Sequence, residues 1–144
     1  MGKEHSRSKG GKALSDHQSD ILIKLRSGER KDLVILVVPS RDRKDEPIPD
    51  QHMWAEAGLD VLANLYRGAT AFKAYAGIFR TDAGKILHDE PILLEAYADR
   101  RDVESGDKLN SLLRFTVRMG KETDQDTVAI VVNDFMHFIP IVGR

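Results

Sequence analysis

No cysteine occurs anywhere in the 144 residues, and that absence removes disulfides, thiolate nucleophiles and Cys-ligated zinc together. It leaves the redox compartment open, apart from a lean towards a cytosolic setting. A surplus of either charge is missing too: 22 Lys and Arg stand against 23 Asp and Glu, a formal net charge of −1. No global field therefore draws the chain to nucleic acid or to an anionic lipid surface. The first twenty residues hold no apolar run, so a signal peptide or membrane anchor is not expected there. The expectation is a soluble cytoplasmic protein. Motifs with built-in chemistry are absent as well: no P-loop, G-x-G-x-x-G, nucleophile elbow, H-E-x-x-H or calcium-loop spacing occurs.

What is present is an order of apolar segments. Leu33 to Val38 is an unbroken aliphatic run stopped by Pro39, the pattern of a strand buried on both faces. The charged stretch Arg41 to Asp50 reads as an exposed loop, with Asp50 as N-cap of a helix from Gln51 to Arg67. Trp54, Gly58, Val61, Leu62 and Leu65 recur at helical spacing, and Gly68 follows where a left-handed residue is expected. Trp54, the only tryptophan, is read as core. Thr70 to Thr81 and Ile86 to Ala98 form a hairpin turned by Asp82-Ala83-Gly84. A second helix, capped by Glu104 or Ser105, carries the stripe Leu109, Leu112, Leu113, Thr116 and Val117 and stops at Gly120. Thr127 to Val132 is another doubly apolar strand, and Asn133-Asp134 turns it into an edge strand from Phe135 to Ile141. The sum is βαββαβ, an α+β ferredoxin-like sheet with two helices on one face, plus an N-terminal helix and an extra C-terminal edge strand. Residues 1–28 are expected to be a mobile basic arm with a short helix from Ala13 to Arg26, and 29–144 a single domain. Lys3, Arg7, Lys9 and Lys12 in the arm offer at most weak contacts to phosphate.

Strand residues alternate sides, so the face turned away from the helices can be read residue by residue. In the hairpin Ile92, Leu94 and Ala96 meet the helices, leaving Leu93, Glu95 and Tyr97 on the open face. In-register pairing would add Lys73, Tyr75 and Phe79, with Arg80 at the strand end open to Glu90 or to an anion. The first and last core strands are apolar on both sides. The open face therefore carries more aliphatic surface than a monomer comfortably exposes. A second copy of the chain, or the helix from Ala13 to Arg26, should cover it, and a homo-oligomer is the leading expectation. Nucleic acid is disfavoured, because the first strand has no aromatic and the third only Tyr97 on which to stack bases.

Catalytic candidates are few. Asp82, Asp89 and Glu90 flank the hairpin and Glu95 lies on the open face; converged, such carboxylates would hold magnesium or manganese for phosphodiester cleavage. No cofactor is otherwise implied, and His5, His17, His52, His88 and His137 lack metal-ligand spacing. Glu122, Thr123 and Gln125, after the second helix, are candidates to line a rim. The leading function is thus an interaction or regulatory module that self-associates through its sheet, the alternative a small metal-assisted phosphodiesterase or nuclease.

Gly68-Ala69-Thr70, Gly77-Ile78-Phe79-Arg80, Gly84-Lys85-Ile86, Glu90 and Gln125 before Thr127-Val128 together resemble a family of small bacterial domains of unknown function with ferredoxin-like topology. The resemblance spans roughly Leu33 to Val132 and implies the fold. It brings no activity and no catalytic residues. The chain departs from that pattern in its N-terminal extension and in the strand from Phe135.

Overall fold

A computed structural model describes residues 11–27 and 31–143. The expected basic arm at residues 1–10 and the stop signal at Gly28 lie outside the described residues. The chain divides into two units, residues 1–30 and 31–144. In the first, α1 spans Asp16–Ser27. It starts later than Ala13 because Ser15 and Gln18 form a capping box: the Gln18 N–H donates to Ser15 Oγ at 3.2 Å and the Ser15 N–H donates to Gln18 Oε1 at 3.0 Å.

The second unit contains β1 (Asp32–Val38), α2 (Gln51–Tyr66), β2 (Thr70–Lys73), β3 (Gly77–Arg80), β4 (Ile86–Asp89), β5 (Ile92–Ala98), α3 (Arg100–Glu104), α4 (Gly106–Glu122), β6 (Thr127–Val132) and β7 (Phe135–Pro140). Five strands make one antiparallel sheet in the order β2-β5-β1-β6-β7. This is the ferredoxin-like order with one strand added at an edge. Asn133, at φ 55°, makes the two-residue turn that adds β7. Helices α2 and α4 lie on one face, and the strand residues turned towards them are buried: Val34, Leu36 and Val38 of β1, Ile92, Leu94 and Ala96 of β5, and Val128 and Ile130 of β6. Each large aliphatic buried there contributes about 1.5–3 kcal/mol. From the helices come Leu62, Leu112, Phe115 and Met119. Trp54 is buried as expected, edge-on to Phe115 at 5.9 Å.

The ends of the helices depart from the sequence reading in informative ways. Asp50 is the N-cap of α2, yet its carboxylate accepts from Trp54 Nε1 at 3.2 Å instead of capping the backbone. At the other end Arg67, not Gly68, adopts the left-handed conformation, at φ 75°. A side chain with a Cβ is strained there. Arg67→Gly is therefore expected to raise stability by about 0.5–1 kcal/mol, read as a higher midpoint in thermal denaturation. Ser105 caps α4, its Oγ accepting from the Lys108 N–H at 3.4 Å. That helix runs through Gly120 to Glu122. Gly120 is buried because β7 leads Ile141 against it: an added Cβ would lie 2.5 Å from Ile141 Cδ1. Asp124, at φ 54°, reverses the chain instead.

The expected hairpin is broken in two. Ala74 N–H donates to Pro91 O at 2.9 Å and Gly77 pairs with Asp89, so Tyr75 and Ala76 stand opposite Glu90 alone. That is a β-bulge, and it separates β3–β4 as a two-stranded ribbon from the main sheet. The bulge is anchored to the end of β1. Ser40 N–H and Ser40 Oγ both donate to the Asp89 carboxylate, the Glu90 N–H donates to Ser40 Oγ at 2.9 Å, and Gln51 Nε2 donates to Glu90 O at 3.0 Å. Gly77 is needed there, since a Cβ would sit 2.9 Å from Asp89 O. The turn of the ribbon is as expected, with Gly84 at φ 82°.

Candidate functional site

Cross-strand partners share a face, so the register names every residue on the side away from the helices. Leu93, Glu95 and Tyr97 of β5 stand opposite Val37, Ile35 and Leu33 of β1. On the other flank Phe72 and Thr70 of β2 pair with Leu93 and Glu95. Val131 pairs with Ile35, and the face continues through Ala129 of β6 to Met136 and Phe138 of β7. The aliphatic positions are half-buried, while Phe72, Tyr97, Met136 and Phe138 are exposed at 52%, 61%, 54% and 61%. Glu95 is the one charged residue among the strand positions on this face. Tyr97 lies beside Glu95 on this face, and hydrogen bonding to that carboxylate together with its negative charge holds the phenol above its ordinary range. It is protonated at neutral pH.

Next to the face the ribbon forms a cleft of about 650 Å³. Val37, Ala129 and Phe138 line it from the sheet, Phe79 and Leu87 from the ribbon, and the loop 41–45 closes one side. That loop is held rigidly: Asp42 Oδ1 accepts from the Lys44 and Glu46 N–H groups at 2.8 and 3.0 Å, Arg43 Nε reaches Asp124 Oδ1 at 2.9 Å, and Gln125 Nε2 donates to Arg41 O at 2.8 Å. Its charges are mixed in sign, with Arg41 3.9 Å from Asp45 and Arg43 paired to Asp124, which gives the cleft no net preference for an anion.

The sequence-predicted residues fall into three groups. Leu93, Glu95 and Tyr97 lie on the open face, and Phe79 joins it across the cleft. Lys73 does not: it pairs with Ile92 and so takes the helix side of the edge strand. Tyr75 is in the bulge, 99% exposed. The bulge is the physical reason, because one extra residue exchanges the two sides of a strand. It brings Phe72 to the face instead of Lys73 and returns Phe79 to it further on.

Arg80 is exposed in the ribbon, opposite Ile86. Asp82 lies in the turn at the ribbon's tip and Glu90 in the bulge at its base, with Glu95 on the main sheet. The structure does not bring these carboxylates together, and among the described residues no group of three His, Asp or Glu side chains is placed to hold a metal ion. Asp89 instead anchors Ser40. Thr123 and Gln125 are buried and satisfied, Thr123 Oγ1 donating to Met119 O at 2.6 Å and Gln125 Nε2 also to Thr123 O at 3.1 Å. They fasten the loop after α4, and Glu122 alone of the three is exposed. Sequence reasoning missed Phe72, Met136 and Phe138. The alternation of β7 could have found the last two; Phe72 was hidden by the bulge.

Fold and face together define a ferredoxin-like α+β domain with helices on one side of its sheet and an apolar surface on the other. Neither a family model nor a curated protein sequence matches the chain. Among solved structures it is similar to a phage SAM lyase, both in complex with S-methyl-5'-thioadenosine (TM-score 0.56, 9% identity, covering 78% of this chain and 92% of that one) and in the apo state (TM-score 0.57, 9% identity, 79% and 92%). At that identity the likeness shows the fold alone. A divalent cation tolerance protein from Thermus thermophilus also matches, at TM-score 0.41 and 16% identity over 79% of this chain and 86% of that one. No helix among the described residues is long and apolar enough to cross a membrane.

Proposed function

We propose that this chain is a cytoplasmic interaction module that self-associates by packing its open sheet face against the same face of a second copy. The observation that carries this reading is the continuous apolar surface from Phe72 to Phe138, interrupted by one charge. The helices already occupy the other side of the sheet, so only an incoming surface can take this one out of water. A face with a single charged position has no charge pattern calling for an unlike partner, and two such faces stack as sheets do in a sandwich, about 10 Å apart. Burying apolar area at about 25 cal/mol per Å² then supplies the drive.

Sedimentation equilibrium of the full chain across a wide concentration range is expected to show a reversible dimer or a larger closed assembly. A chain lacking residues 1–28 is expected to keep that assembly. A full chain that is monomeric at every concentration, and that aggregates once residues 1–28 are removed, would overturn the reading and assign the cover to the N-terminal segment.

A further inference from the structure

We infer that association through this face is gated by pH, with Glu95 as the gate: the assembly forms most readily when that carboxyl is protonated. The inference rests on the self-association reading and adds its regulation. Glu95 lies in the middle strand positions of the face, directly opposite Ile35 of β1 and Thr70 of β2, with Leu93 and Tyr97 on either side along β5. None of these neighbours is a cation. From β1 the face presents Leu33, Ile35 and Val37, from β2 Thr70 and Phe72, from β6 Ala129 and Val131; among these strand positions the only other titratable group is the neighbouring Tyr97. Lys31, just before β1, is already ion-paired with Asp99 beyond the end of β5, which Arg67 and Arg101 also influence. The mixed charges of loop 41–45, with Lys85, His88, Asp89 and Asp126, surround the cleft, which Val37 lines.

In the free domain Glu95 is half-exposed and keeps much of its water. A second copy packed over the face removes that water, which disfavours the carboxylate and favours the neutral acid. One hydrogen bond from Tyr97 does not replace the lost solvation, whereas a protonated carboxyl can both accept from Tyr97 and donate onward. Each carboxyl therefore takes up a proton as the assembly forms. By linkage, association is strongest at low pH and weakens as pH rises through the carboxyl's value in the assembly.

The test is sedimentation equilibrium of the full-length wild type and Glu95→Gln at about pH 5 and about pH 8, values chosen to lie above the ordinary glutamate range. Glutamine keeps the acceptor for Tyr97 and removes the charge, and circular dichroism checks that the fold is unchanged. Wild type is expected to associate more tightly at the lower pH, by up to about tenfold per pH unit for each carboxyl buried. Glu95→Gln is expected to associate more tightly than wild type at the higher pH and to lose most of the pH dependence. Assembly that is equally tight at both pH values in wild type, or a pH response that survives intact in Glu95→Gln, overturns the gate while leaving self-association standing. Monomers for both proteins at both pH values overturn the self-association reading, and the gate with it.

Discussion

Leu93→Lys is expected to abolish self-association while leaving the domain folded. Leu93 is the position on the open face that pairs with Val37 on one side and Phe72 on the other, so it lies within the apolar surface and away from its rim. In the free domain it is only half-buried. A lysine there lays its methylenes along the sheet and keeps its ammonium in water, at little cost to folding. In a face-to-face assembly the same ammonium is taken out of water against aliphatic side chains, with no carboxylate placed to receive it except Glu95 two residues on. Leaving a charge in that position costs several kcal/mol. At about 1.4 kcal/mol per factor of ten, the dissociation constant is expected to rise about a hundredfold or more. Sedimentation equilibrium reads the loss, and an unchanged circular dichroism spectrum and melting temperature show that the fold has survived. Undiminished association would remove this face from the interface.

Leu94→Ala, one residue further along the same strand, is expected to do the reverse. Leu94 is fully buried on the helix side, where α2 approaches so closely that a Cβ on Gly58 would lie 2.3 Å from Leu94 Cδ1. A glycine already brings the helix backbone close to this side chain. Neither helix nor strand can move far enough to fill the space left by truncation, so both the transfer and the cavity terms apply, about 3–5 kcal/mol. Against a total stability of about 5–15 kcal/mol for a domain of ordinary size, that is a large fraction. The melting temperature is expected to fall by about 10–20 °C in calorimetry. Below the transition the open face is untouched, and association should persist. Two adjacent leucines thus separate folding from assembly, and a pair that moved both properties together would contradict the division of the sheet into two faces.

Much of this architecture is legible in the chain because it rests on local chemistry. Unbroken aliphatic runs at 33–38 and 128–132 can only be strands buried on at least one side, the stripe of α4 has a helical period, and Gly84 and Asn133-Asp134 sit where tight turns need them. Their order is sufficient for the fold. Helix ends are less legible, because competing residues lie side by side: Arg67 takes the conformation that Gly68 would take more cheaply, and Gly120 serves a close approach by Ile141 and not a helix stop. Thr123 and Gln125 look like surface polar residues in the sequence and are instead buried fasteners of two loops, since only the fold reveals that the carbonyls of Met119 and Arg41 await them.

The sequence by itself determined that one side of the sheet would be covered by helices and that apolar residues would be left over on the other. Both follow from alternation along strands, a property of the backbone that any strand obeys. Which residues make up that second surface was decided only in the tertiary structure. A bulge at Tyr75 and Ala76, held where Ser40 beyond β1 bonds Asp89 at the end of β4, exchanges inside for outside along one strand, placing Phe72 rather than Lys73 beside Leu93 and Phe79 on the cleft beside the sheet. A one-residue slip costs little locally and changes every side chain beyond it. Its position is set by contacts between distant parts of the chain, beyond the reach of any local pattern.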